Sequence, residues 1–119
     1  MKIPGPSHPI TIDPTVGRVT VRSGDDVIAE TGRALTLQES DYPPVLYVPL
    51  EDVRPDRLRP SSSTSHCPYK GDASYYDLVT VDGVVSDAVW SYREPYPAVA
   101  EIAGRVAFYP EHVTIAVGD

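Results

Sequence analysis

The run Thr64-Ser65-His66-Cys67-Pro68-Tyr69-Lys70-Gly71 sets the only cysteine of the chain three residues before one of its two lysines. A thiolate is a nucleophile, and a nearby ammonium favours it over the neutral thiol. Pro68 presets the first corner of a β-turn, and Gly71 can follow it in a left-handed conformation. A turn over Cys67 to Lys70 therefore brings thiol and ammonium close if their side chains converge. His66 is a poorer partner, because neighbouring residues of an extended strand point to opposite faces. His8 and His112 are the other candidate bases.

Each of these residues has a plainer reading as well. Free cysteine is among the most buried residue types, so Cys67 as a small core residue carries more weight than Cys67 as a catalytic nucleophile. A lysine in a chain with eight arginines can mark a need for a compact point charge, or fall there by chance. Glu39 and Glu94 end expected strands beside serine or proline, where loops gather at the rim of a β domain. Tyr75, Trp90 and Tyr92 can line a pocket with hydroxyls and an indole N–H, or pack on a shared face as core.

These side chains need strands to hold them. Val16, Val19 and Val21 lead through a Gly24-Asp25 turn to Val27-Ile28-Ala29, the pattern of a hairpin. Further strands are expected at Arg33–Glu39, Val45–Val48, Arg105–Tyr109 and His112–Val117. Asp82-Gly83, flanked by Ala73–Val81 and Val84–Tyr92, is the strongest hairpin signal of the chain. Pro49 to Ser65, rich in serine and proline, has no period and reads as a loop. Ala98–Ala103, closed by Gly104, is the one helix candidate. The expectation is an all-β domain of about eight short strands in a folded sheet or barrel, spanning residues 1–119, with roughly the first eight residues loose.

Composition narrows the function. The chain has 119 residues, 41% hydrophobic and 23% charged, enough for one core. A net charge of −7 argues against a nucleic-acid partner, which needs a basic face. Arg54, Arg57 and Arg59 come nearest to one, but Asp52 and Asp56 interrupt them. No apolar run approaches the ~20 residues of a membrane span, and the N-terminal segment lacks the apolar core of a signal peptide, so a cytoplasmic protein is expected. One cysteine and three scattered histidines lack the paired spacing of a zinc site, and phosphate-loop, dinucleotide and serine-hydrolase motifs are missing, so neither metal nor cofactor is expected.

Taken together, Thr64-x-x-Cys67-Pro68-Tyr69-Lys70-Gly71, Tyr75-Tyr76 and Trp90-x-Tyr92-x-x-Pro95 resemble the domain of unknown function 427 (DUF427) family. Arg33-Ala34-Leu35, Tyr47-Val48-Pro49 and Ala107-Phe108-Tyr109 extend the resemblance over nearly the whole chain. It implies a small all-β domain of the β-tent, Mss4-like kind. Relatives of that shape hold zinc through cysteine pairs, which this chain does not have, so the metal is not carried over.

Three functional readings are open. The leading one is a small-molecule site, with an anionic group drawn to Lys70, where Thr64, Cys67 and Lys70 meet Glu39, Tyr75, Trp90 and Tyr92. The others are a thiol-dependent enzyme with Cys67 as nucleophile, and an interaction module that pairs through a β edge or aromatic patch.

Overall fold

Alternation of apolar and polar residues with a period of two underlies most strands of the molecule. A computed structural model describes residues 1–118. Among these, ten strands form two sheets in which every pairing is antiparallel: β1 (Ile10–Pro14), β2 (Arg18–Ser23), β3 (Asp26–Thr31), β4 (Leu35–Glu39), β5 (Val45–Pro49), β6 (Leu58–Cys67), β7 (Gly71–Thr80), β8 (Gly83–Ser91), β9 (Arg105–Phe108) and β10 (Thr114–Gly118). The larger sheet runs β1-β4-β5-β9-β8-β7-β6 and the smaller β10-β2-β3. The all-β expectation therefore stands, in a single compact domain.

Strand alternation splits the core in two. Val48, Val89 and Val106 point one way from the large sheet and pack, with Leu78, against Val19, Val21 and Ile28 of the small sheet. Their chain neighbours Tyr47, Trp90 and Ala107 point the other way. They meet Leu37, Ala73 and Tyr92, together with Val99 and Ile102 from a 3-10 segment at Pro97–Ile102. The second layer, away from the small sheet, is where the polar aromatics gather.

Two irregularities interrupt the large sheet. In the first, the β5–β9 ladder has only two pairs, Val48↔Val106 and Pro49↔Arg105, and ends before Tyr47 and Ala107. The first half of β5 is thus paired to β4 alone, leaving a fork in the sheet between β5 and β9. The second is a set of register shifts running across β6, β7 and β8. Asp87 sits in the shifted stretch of β8 with φ 54°, and its backbone N–H donates to Asp77 Oδ1 at 2.9 Å. Its own carboxylate accepts from Ser61 Oγ at 2.5 Å and Ser63 Oγ at 2.7 Å.

These two serine contacts explain one departure from expectation. The loop expected from Pro49 to Ser65 is instead two single-turn 3-10 segments, Leu50–Asp52 and Pro55–Arg57, followed by most of β6. Serine favours loops because its hydroxyl competes for backbone partners. Here two of those hydroxyls are taken by Asp87, and the backbone is free to pair with β7. β1 is the other strand beyond the eight expected, and Pro14 at its end hides it from a propensity reading. The strong hairpin is also displaced by one residue: Thr80 pairs with Gly83, so the turn is Val81-Asp82, and Gly83 opens β8 with φ 133°.

The arginine cluster is neutralised locally. Asp26 accepts from Arg54 Nη1 at 2.8 Å and Arg57 Nε at 2.5 Å, while Arg59 pairs with Asp77 at 3.3 Å. The Arg54 backbone also donates to Ile28, tying the segment before β6 to the small sheet.

Candidate functional site

The hairpin between β6 and β7 closes through a three-residue loop, Pro68-Tyr69-Lys70, with Cys67 paired to Gly71. Gly71 has φ 110°, a conformation that L side chains rarely adopt, so glycine lets β7 start directly after the loop. The Lys70 carbonyl accepts from Tyr96 N–H at 2.9 Å, which docks the loop against the Glu94–Pro97 bend. From this anchored backbone the lysine side chain reaches across to the end of β4 and donates to Glu39 Oε1.

The other Glu39 oxygen, Oε2, is 2.7 Å from His8 Nε2. His8 itself stacks on Tyr69, with ring centroids 4.0 Å apart and planes 9° from parallel. The N-terminal segment thus lies on the loop, and a Lys2 N–H···O=C Pro68 hydrogen bond of 2.8 Å fixes its other end. Lys70, Glu39 and His8 are only 11%, 15% and 22% exposed at their side chains, so water screens the cluster weakly. Burial raises the pKa of the Glu39 carboxyl, but the hydrogen bonds from Lys70 and His8 outweigh it and hold the group below its usual range.

Above this ion pair the second core layer opens into a pocket of about 180 Å³. Glu39 and Lys70 form one wall and the rings of Tyr47, Tyr75, Trp90 and Tyr92 form most of the rest, with Tyr109 beside Trp90 at 4.5 Å between centroids. Trp90 Nε1 donates to Tyr47 Oη at 3.3 Å across the fork between β8 and β5. Burial pushes the Tyr47 phenol up to about 12 and raises Tyr92 as well, so both stay neutral hydrogen-bonding groups at physiological pH. The Tyr75 hydroxyl exchanges a hydrogen bond of 2.8 Å with Ser65.

Five of the residues singled out in the sequence, Glu39, Lys70, Tyr75, Trp90 and Tyr92, share this pocket. Thr64 does not. It lies on β6, in a neighbouring polar cavity with Ser63, Asp87 and His112 that touches the first only through Tyr75 and Tyr109. Cys67 is half-buried against the second core layer rather than lining the pocket, and the Lys70 ammonium is held by a carboxylate. His66 turns outward, as strand alternation requires, and its Nδ1 meets Asp72 at 2.7 Å. Glu94, the other acid of interest, is exposed away from the pocket.

Nothing in the sequence pattern places His8 here, because its partner is 31 residues away. Tyr47 and Tyr109 stand out there only within the segments Tyr47-Val48-Pro49 and Ala107-Phe108-Tyr109 that extend the family resemblance. Among the described residues, no group of three histidine, cysteine or acidic side chains is arranged to hold a metal ion.

The profile of a family described as a domain of unknown function, DUF427, matches residues 11–119. No curated protein matches the chain.

Proposed function

We propose that this chain, which belongs to the DUF427 family, binds a small organic molecule in the aromatic pocket above Glu39 and Lys70. The polar group of that ligand is a carboxylate or carbonyl directed at Lys70, and its apolar part lies on Trp90. The observation that carries this reading is the Lys70 side chain, 11% exposed, on a pocket wall, with Glu39 as the one hydrogen-bond partner of its ammonium among the described residues. An ammonium has three donors. Glu39 uses one and offsets part of the cost of burying the charge, and a ligand acceptor takes another.

The Lys70 ammonium offsets the Glu39 charge at one oxygen and His8 engages the other, so a ligand acceptor meets an ion pair rather than a lone carboxylate. The rings supply apolar faces and polar tips to the lining, in which polar and apolar surface are about equal.

A thermal-shift screen of small carboxylic acids and amides tests this, because a ligand specific to the native state raises the melting temperature by mass action. Compounds that stabilise the wild type and lose that effect with Lys70→Met and with Trp90→Phe support the reading. A set of stabilising compounds indifferent to both substitutions refutes it.

A further inference from the structure

The fork between β5 and β9 does more than admit the Trp90–Tyr47 contact. On its far side a second cavity, about 710 Å³, runs from Trp90 and Phe108 past Leu46 to Ile115 and Val117 of the small sheet. It shares Tyr42, Pro43, Val45 and Trp90 with the polar pocket, so the two cavities adjoin along these residues. The volume falls within the range of roughly 300–1,000 Å³ that small-molecule sites occupy.

Its chemistry is the opposite of its neighbour's. Its two threonine hydroxyls, from Thr15 and Thr36, hydrogen-bond each other at 2.7 Å, which leaves the Tyr42 phenol and the Trp90 indole as its other polar tips. The remaining wall is aliphatic, aromatic or proline. Val117 and Tyr42, both on its lining, are 50% and 60% exposed.

We infer that the two cavities act as one cleft that takes a straight-chain carboxylate, with its acid group at Lys70 and its alkyl chain passing Trp90 into the groove that ends at Val117. This rests on the pocket reading above and names the ligand class for it. The head is fixed by the remaining ammonium donors at one end, and the tail by the scarcity of polar partners at the other. Trp90, common to both compartments, lies where head and chain join.

A series of sodium alkanoates from butanoate to dodecanoate, followed by the fluorescence of Trp90, the sole tryptophan, tests the assignment. Affinity should rise roughly fourfold per added methylene until the groove is full. Val117→Glu, at a half-exposed position that tolerates charge, should flatten this rise. Lys70→Met should weaken every member of the series alike.

If short acids bind in a Lys70-dependent way but longer chains gain nothing, the chain assignment falls and the pocket reading survives. If no alkanoate of any length perturbs Trp90, the alkanoate assignment falls, and the thermal-shift screen separately decides the pocket. Sedimentation of the free protein as a dimer that Val117→Glu dissociates would show the groove to be an interface between two copies, which also overturns the assignment.

Discussion

Trp90 and Tyr47 meet across a gap in the large sheet, with the indole Nε1 of one 3.3 Å from the phenolic oxygen of the other. The contact spans β8 and β5, which are not neighbours in the sheet, because the β5–β9 ladder stops two pairs in. It holds the polar pocket on one side and the apolar groove on the other at a fixed separation. Removing the acceptor should therefore disturb both.

Tyr47→Phe leaves the Trp90 N–H without its protein partner and should cost about 1 kcal/mol in denaturant unfolding. The indole N–H should also exchange faster with solvent deuterium. An unchanged exchange rate would mean that the hydrogen bond does not restrain the indole.

Tyr47 also sets an alkaline limit. Its folded pKa of about 12 lies above the ordinary value of 10.0, so the unfolded chain gives up this proton first. The stabilisation it confers is complete below pH 10 and is lost as the pH rises toward about 12. Unfolding free energy measured across that window should fall more steeply for the wild type than for Tyr47→Phe. Tyr92, raised in the same direction by burial, keeps some slope in the variant.

Glu39 acts at the acid end with the opposite sign. Its folded pKa lies below the reference value of 4.5, so the unfolded state takes up the proton first as the pH falls. Its contribution is present above about pH 4.5 and is lost as the pH falls through the folded value. Asp26, Asp52 and Asp87 are lowered too, so only a comparison isolates Glu39. Glu39→Gln should show a shallower acid limb than the wild type, and identical limbs would rule out a role for Glu39 there.

Asp87 tests the bend across β6, β7 and β8. Its left-handed backbone favours Gly or Asn over Ala, and its carboxylate gathers two serine hydroxyls. Melting temperatures should fall in the order wild type, Asp87→Asn, Asp87→Gly, Asp87→Ala. An Ala variant as stable as the Gly variant would show that the backbone conformation carries no cost.

Cys67 packs half-buried against the second core layer. It should alkylate more slowly in the native protein than a simple thiol, and regain the ordinary rate in denaturant. Faster native alkylation, slowed by Lys70→Ala, would instead support the nucleophile reading.

Much of the architecture is legible in the sequence where alternation is strong. The strands around Val19–Val21, Leu35–Leu37, Val45–Val48 and on either side of Val81-Asp82 follow from period and β-branched residues. β6 is not legible, because a run of serines satisfied by Asp87 looks like a run of serines satisfied by its own backbone. Of the site, Glu39, Lys70, Tyr75, Trp90 and Tyr92 are legible as a group, while the direct partner of Lys70 and the place of His8 are not. Lys70 is near Cys67 along the chain, and sequence nearness suggests that pairing. Its four-carbon stem instead carries the charge to Glu39, 31 residues away, a partner that only the strand order places there.

The most direct test of the cleft uses the single indole N–H cross-peak that one tryptophan provides in a nitrogen–proton correlation spectrum. Titration with octanoate should move that peak progressively in the wild type, and Lys70→Met should require a several-fold higher concentration for the same shift. An indole peak that stays fixed while resonances elsewhere on the molecule move would contradict binding in the cleft.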